Sequence, residues 1–425
     1  MFSQTLCKAS LSIAIASATC QVMANGLAIN EQSISGMGTG FAGRSSSAQD
    51  ASTVFGNPAG MSRLERAEIT AGIAAVRPKT KIKASATNPT LGSNKGDIAP
   101  NAAVPFGYYV RPLNEEWHFG IGVYVPFGVI SDYESTYQGR DHGLYSKVQV
   151  ITVQPTLSYK INDRVSIGFG PTINRIDGKL TSNPLAAAGA GAKVSIKGDD
   201  IGYGYNIGVL ADLTDRLTWG MTYHSKVDYT LEGHTSFSGF SNAPIPGGAL
   251  LDGKYKAKLD FTSPESVDTS VTYKANDTWT LYGGASWTRW SQLKDIEAIN
   301  KGVNPLLGGQ FDSVQEDLNW KDTWAYALGV AYRLNPEWVL RGGFSLDESP
   351  TTNTHRNVRI PVSNRKILSL GAGWDIDKDW TLDVAYSYLR ESRGQVHQVA
   401  ATGAPYDATY KNSAHGAGLQ LTHRF

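Results

Sequence analysis

"WAYALGVAYRL", Trp324–Leu334, decides how this chain folds. Trp324, Tyr326, Leu328, Val330, Tyr332 and Leu334 take one set of alternate positions; Thr323, Ala325, Gly329, Ala331 and Arg333 take the other. Side chains of an extended strand point alternately to its two faces, so this run predicts a strand with one large apolar face and one small or polar face. In "IGYGYNIGVLADL" (Ile201–Leu213), Ile201, Tyr203, Tyr205, Ile207 and Val209 likewise oppose Gly202, Gly204, Asn206 and Gly208. The chain ends the same way, with Ala417, Leu419, Leu421 and Phe425 opposite Gly418, Gln420, Thr422 and Arg424. "RAEITAGIAAV", "EWHFGIGVYV", "RVSIGFGPTI", "RLTWGMTY" and "WTLDVAYSY" repeat the pattern. The fold class is therefore all-β.

Short polar turns punctuate these strands: "LNEEW", "INDRV", "LTDRLTW", "ANDTW", "LNPEW" and "DKDW". Five carry a Trp that opens the next strand, which predicts a ring of aromatics at one level, as a membrane interface selects. Between the turns lie long stretches rich in Gly, Pro, Asn and Ser, at residues 78–101, 182–200, 237–253 and 298–313, read as loops at the opposite end. Short turns at one end and long loops at the other, with about fourteen strands, predict a closed antiparallel transmembrane β-barrel of an outer membrane. Closure is the physical requirement: in lipid every backbone N–H and C=O must be paired, so a spanning sheet has no edge. No run of about 20 apolar residues occurs to form a spanning helix, and mean hydropathy is only −0.26. A soluble propeller or sandwich would show even loop lengths and four-strand repeats; neither is present. The net charge of +1 leaves no electrostatic footprint for nucleic acid.

Residues 1–24 read as a secretory signal. Lys8 is the sole charge before Glu31, Leu11–Ala18 is a short apolar run, and "VMA" (Val22–Ala24) suits cleavage. Ser17 stands where a lipidation motif carries an apolar residue, so Cys20 is not read as a lipid attachment point. Cys7 and Cys20 both fall in this segment, leaving the mature chain without thiol chemistry. Residues 25–66 are rich in Gly and have no strand period; a plug, or hatch, inside the barrel of residues 67–425 accommodates them, since irregular backbone at membrane depth is tolerated where protein buries it. "VFGNPAG" (Val54–Gly60) reads as a locked corner of this plug, with Pro58 fixing a turn and Asn57 offered to the wall.

Parity places Glu68, Arg111, His118, Lys160, His224, Lys226, Lys321, Arg341, Arg365 and Asp383 in the lumen. Lys226, Lys321 and Arg365 fall in the extracellular half, where cations could hold an anionic head group. No nucleophile motif, zincin spacing or phosphate loop occurs, so neither catalysis nor a cofactor or metal is expected. The enzymatic alternative is an outer-membrane lipid hydrolase using His118 or His224 with a distant Ser.

Four stretches resemble the FadL/TodX family of outer-membrane transporters for hydrophobic compounds: "GLAINEQSISGMGTGFAG" (Gly26–Gly43), "NPA" (Asn57–Ala59), "SKVDYTLEGHTSF" (Ser225–Phe237) and "FSLDESPTTNTHRNVRIP" (Phe344–Pro361). The resemblance spans the mature chain. It implies a fourteen-stranded, hatch-plugged monomer among lipopolysaccharide and other outer-membrane lipids, exported to the Gram-negative cell outer membrane. It implies passive uptake of long-chain fatty acids or other hydrophobic molecules, with aromatic hydrocarbons or oxygenated lipids, taken up or exported, as the alternative. By the resemblance, Leu185, Phe237, Phe240, Ile245, Leu250 and Leu251 line an extracellular groove, and Leu27 and Ile29 form the hatch tip beside a pocket. Asn57, Pro58 and Ala59 form the hatch motif, and "YVPFG" (Tyr124–Gly128), with Pro126 and Gly128, forms a kink that opens a lateral gap. One departure stands out. Fatty-acid members carry a basic residue just before the "KDTW" segment, where this chain has Glu316 and Asp317; Lys321 is the candidate replacement.

Overall fold

A computed structural model describes residues 26–425 except 96, 97, 244, 308, 310, 401 and 402. The expected signal segment and Asn25 lie outside the described residues. Among the described residues, nineteen strands form one antiparallel sheet. They are β1 (Glu68–Ala84), β2 (Ala102–Pro112), β3 (Trp117–Asp132), β4 (Tyr145–Lys160), β5 (Val165–Ser182), β6 (Lys193–Asp212), β7 (Leu217–His224), β8 (Val227–Ser238), β9 (Gly253–Ser263) and β10 (Ser266–Lys274). The rest are β11 (Trp279–Thr288), β12 (Asp295–Lys301), β13 (Ser313–Asp317), β14 (Thr323–Arg333), β15 (Trp338–Asp347), β16 (Arg365–Asp375), β17 (Trp380–Glu391), β18 (Gly394–Val399) and β19 (Pro405–Arg424). In five places one strand continues the previous one past a short break: β7 into β8, β9 into β10, β11 into β12, β13 into β14 and β17 into β18, each pair lying along the same neighbours. Fourteen staves remain, the number read from the sequence. β1 pairs with both β2 and β19, from Glu68↔Arg424 upward, which closes the barrel.

The two faces sort as the alternation demands. Leu328 is 69% exposed, and Leu368, Leu370, Leu419, Ile201 and Phe169 are exposed beside it on the outer wall, while Thr152, Gln154, Asn174, Thr222 and Gln420 are buried inside. Exposed aliphatic side chains over a polar interior are stable only if lipid surrounds the wall. The six short turns share one device. Asn114, Asn162, Asn276, Asn335 and Asp377 each accept, through the side-chain oxygen, two backbone N–H groups two and three residues on, and Thr214 does so through its hydroxyl. Such turns bend the chain without orphaning its donors. Trp117, Trp279, Trp338 and Trp380 open their strands at this rim, whereas Trp219 is the third residue of β7 and donates to Thr269. Asn335→Ala removes one of six such devices; an assembled barrel destabilised by about 1 kcal/mol, read from urea unfolding in detergent, is the expected result.

The stretches read as loops are partly strand. Residues 78–84 belong to β1 and 193–200 to β6, so the barrel wall continues above the apolar band. Arg111 is a correction: the buried face of β2 runs Val104, Phe106, Tyr108, Val110, and Arg111 is exposed on the other.

The N-terminal segment sits inside the barrel and is tied around its circumference. Helix α1 (Ile34–Gly38) is capped by Ser33, and α2 (Thr53–Gly56) leads into a 3₁₀ turn at Pro58–Arg63 capped by Asn57. Ile34 N donates to Gln420 Oε1 at 2.8 Å, Ser345 Oγ to Gly40 O at 2.7 Å, Gln154 Nε2 to Val54 O at 2.9 Å and Thr222 Oγ to Gly56 O at 2.8 Å.

Candidate ligand path

Toward the turn rim a lumenal cavity of about 750 Å³ is lined by Gln49, Thr272, Tyr282, Arg341 and Asp383; above it lie two smaller ones, divided by residues 26–29. The upper one, about 70 Å³, is bounded by Leu27, Ile176, Leu231, Phe261, Leu318 and Trp320. These residues are buried against one another. The lower one, about 130 Å³, is more polar and meets Ile29, Phe55, Tyr124, Pro126, Phe127 and His224. Gly26 starts the divider with φ +67°, a conformation glycine favours, and any Cβ there would stand 2.8 Å from Trp290.

The divider is held by β3. Tyr124 pairs with Thr152 but Phe127 with Val150, so β3 carries one extra residue, a bulge at Val125–Pro126. The ladder between β2 and β3 stops at Gly107↔Val123, although both strands run on. Residues 27–29 add to β3 as a short strand: Ile29 N donates to Pro126 O and Gly128 N to Leu27 O, both at 2.8 Å. Gln32 completes the seam, donating to Val125 O at 2.5 Å and accepting from Val125 N at 3.3 Å. Proline lacks the N–H a ladder needs, so the strand parts from β2 here and its polar groups turn inward to the divider.

Asn57 is buried and spends its amide fully. Nδ2 donates to Ser45 O at 2.6 Å and Val209 O at 2.9 Å, and Oδ1 accepts from Ala59 N at 3.0 Å. Ala59 O accepts from Ser166 Oγ at 2.9 Å and Ser158 Oγ at 3.2 Å, while Pro58 lies against Gly168 on β5. Asn57→Ala leaves two buried carbonyls without this donor, each costing about 1–3 kcal/mol. The expected outcome is an assembled, heat-modifiable barrel whose N-terminal segment is cut more readily by added protease and whose ligand uptake falls.

The cations divide. Arg365 is buried and donates to Asp347 Oδ2 through Nε at 2.8 Å and Nη2 at 2.5 Å. Arg341 pairs with Asp383 at 2.5 Å, and Glu68 with Arg424 at 3.1 Å. Lys160 pairs with Asp163 near the rim. Lys226 is a correction: it is exposed and pairs with Asp228 at 2.9 Å, outside both cavities, because the break after β7 shifts the parity on which its inward placement rested. Lys321 is also exposed, in the break before β14, and meets neither cavity. Arg359 takes that place at the upper cavity. Its Nε donates to Glu316 at 2.8 Å, and its Nη1 to Ser146 Oγ at 3.2 Å and Thr181 O at 3.1 Å. Burial pushes the Glu316 carboxyl above its usual range, and Arg359 opposes that rise. Arg359 lies in an aperiodic segment between β15 and β16, so parity carried no signal for it; only the unexplained acid at Glu316 hinted at a buried partner.

The extracellular loops pack on themselves. Phe237, Phe240 and Leu251 are buried with Val303, and Leu185, Ile245 and Phe311 close over them, whereas Leu250 is exposed. The expected groove is thus a closed apolar cluster, held shut by contact among aromatic rings such as Phe237–Phe240 at 5.7 Å. His118 and His224 lie on β3 and β7; His224 tilts over Phe55 at 5.2 Å, and no Ser hydroxyl hydrogen-bonds either among the described residues.

Residues 15–425 match the family model of the outer membrane protein transport protein (OMPP1/FadL/TodX). The chain belongs to this family. It is 27% identical to the long-chain fatty acid transport protein of Escherichia coli K12, over 98% of each chain. It is 29% identical to a putative outer membrane protein of Neisseria meningitidis serogroup B over the full length of both. A crystal structure of a Pseudomonas aeruginosa FadL homologue superposes with a TM-score of 0.82 at 25% identity, covering 94% of this chain and all of the other. The Pseudomonas putida toluene transporter TodX shares the fold, with a TM-score of 0.67 at 18% identity over 92% of this chain and 97% of its own. The family member is therefore an outer-membrane transport barrel, and its relatives are transport proteins rather than hydrolases.

Proposed function

We propose that this barrel takes up hydrophobic ligands, long-chain fatty acids foremost, by passive diffusion. The ligand leaves the loop cluster for the upper cavity, displaces residues 27–29, enters the lower cavity and exits sideways where β2 and β3 part. The observation that carries this reading is the seam itself: the divider between the cavities is hydrogen-bonded to the bulge beside the lateral gap, so moving one frees the other. An apolar path shielded from water avoids the cost of exposing a greasy chain. At about 70 Å³ the upper cavity is smaller than one that holds benzene, about 150 Å³, so occupancy requires the divider to move.

A second reading, an uncharged aromatic hydrocarbon or oxygenated lipid, is favoured by the pairing of Arg359 with Glu316, which neutralises the cation a carboxylate would use. Growth of a deletion strain on oleate and on toluene, with and without the gene restored, separates the two. Unchanged oleate uptake after deletion defeats the fatty-acid assignment. Glu316→Gln frees Arg359, and a several-fold rise in oleate uptake with toluene unaffected is expected if a carboxylate is the natural cargo.

A further inference from the structure

The outer wall carries a set of cations that the transport path leaves unused. On β1, Arg77, Lys79, Lys81 and Lys83 alternate with inward residues and are exposed. Lys411 on β19, Arg390 on β17 and Lys366 on β16 face the same way and are exposed. The register brings them together. Lys81 stands directly opposite Lys411, Lys366 opposite Arg390, and Arg390 and Lys79 both opposite Ser413. Like charges directly opposed in a sheet are destabilising. Their outward cross-strand neighbours are His415, Ser413, Thr409, Tyr388 and Leu368, none of them acidic, and Asp407, the carboxylate next along β19 on this face, pairs with His397 instead. None of the seven makes an ion pair among the described residues.

The far wall is a useful contrast. Lys147, Lys179, Lys197, His234 and Lys256 also stand in one cross-strand row, but the next row carries Asp177, Asp199 and Glu232, and Lys258 there pairs with Glu232. Three carboxylates thus stand in the row beside those lysines, with Asp199 paired to Arg175 and Glu232 to Lys258; the β16–β17–β19–β1 cations have no such acidic row beside them.

Height completes the picture. Arg390 is ten residues above Trp380 and Lys81 thirteen above Glu68. At about 3.3 Å per residue and about 40° of tilt they stand roughly 25 and 33 Å above the periplasmic rim, against an apolar band about 25 Å tall. Directly beneath them Leu368, Leu370, Tyr386, Leu419 and Ile73 are exposed to lipid. Uncompensated cations at head-group height over an acyl-facing wall complement one kind of molecule in the outer leaflet.

We propose that this face binds a phosphorylated glycolipid, lipopolysaccharide, with its phosphates on Lys79, Lys81, Lys366, Arg390 and Lys411 and its acyl chains on the wall below. The proposal rests on the outer-membrane location of the chain and not on which ligand it transports. Its test titrates the full-length mature barrel, in detergent, with bisphosphorylated lipid A and with the same lipid A after phosphatase treatment. The wild type is expected to hold the intact lipid much more tightly than the dephosphorylated one, in a salt-sensitive way. Lys79→Gln/Lys81→Gln/Arg390→Gln/Lys411→Gln is expected to lose about a hundredfold or more, since each cation near an anionic lipid surface contributes roughly a factor of five. Lys147→Gln/Lys179→Gln/Lys197→Gln/Lys256→Gln is expected to bind as the wild type does. Equal binding of the two lipids by the wild type overturns the proposal, as does an equal loss in the two variants. If the patch variant does not assemble, the two-lipid comparison on the wild type still decides, and Lys79→Arg/Lys81→Arg/Lys411→Arg is expected to retain binding.

Discussion

Gly220→Val is expected to unplug the barrel. Gly220 faces inward on β7, where the N-terminal segment crosses, and a Cβ added there would stand 1.8 Å from the carbonyl oxygen of Ser45. That atom is main chain, pinned by Asn57 Nδ2 at 2.6 Å and by the bond from Ser45 Oγ to Gly220 O at 3.1 Å, so no rotamer change relieves the clash. The stave itself tolerates valine, a good strand former, and β7 keeps its ladders to β6 and β10. The segment must therefore give way. Overpacking costs about 1–3 kcal/mol where side chains can adjust, so a fixed carbonyl shifts the balance toward the displaced segment by about tenfold or more. Single-channel conductance in planar bilayers and sensitivity of cells to large hydrophilic antibiotics should both rise. Gly342→Val, on a face where the nearest atom is Val330 Cγ1 at 3.7 Å, is the control and should change neither. A folded Gly220→Val barrel that stays closed would show that the segment is not what blocks the lumen.

Deleting Pro126 should shut the lateral route. The bulge gives β3 one residue too many against β4, so removing one restores the register from Tyr124↔Thr152 to Phe127↔Val150 without a gap. Parity is preserved: with Pro126 gone, Phe127 and Val129 still face inward, where they pack now. What changes is the backbone. The carbonyl that accepts Ile29 N is lost, and β3 regains an unbroken run of N–H groups with which to pair β2 beyond Val123. Uptake of the hydrophobic ligand should fall close to that of cells lacking the protein, while heat-modifiable barrel accumulates normally. Undiminished uptake by the deletion variant would mean that ligand leaves by another path.

Part of the candidate site's geometry was open to a reader of the sequence, for reasons that differ by residue. Pro126 was legible because proline is excluded from central strands unless the ladder is meant to fail. Asn57 was legible because an Asn-Pro pair between glycines sets its own geometry. Lys226 and Lys321 misled because both sit where staves break, at Ser225–Lys226 and before Thr323, and a break resets the parity on which an inward assignment depends. The loop residues Leu185, Phe237, Phe240, Ile245 and Leu251 were gathered correctly as apolar, yet apolarity does not say whether such residues line a groove or fill it.

What the sequence determined by itself is everything that follows from period two and chain closure: the all-β class, the fourteen staves, the lipid-facing wall, the turn rim and its tryptophans. Those features are local, each written in a dozen consecutive residues by the alternation of faces and the backbone's need for partners in lipid. Only the tertiary structure decided which groups meet across the lumen and across the wall. Arg359 finds Glu316, Asn57 finds Val209, and Lys81 stands opposite Lys411, pairs separated by 43, 152 and 330 positions. Such meetings depend on register and on the path of an aperiodic segment, and neither leaves a periodic trace in the chain.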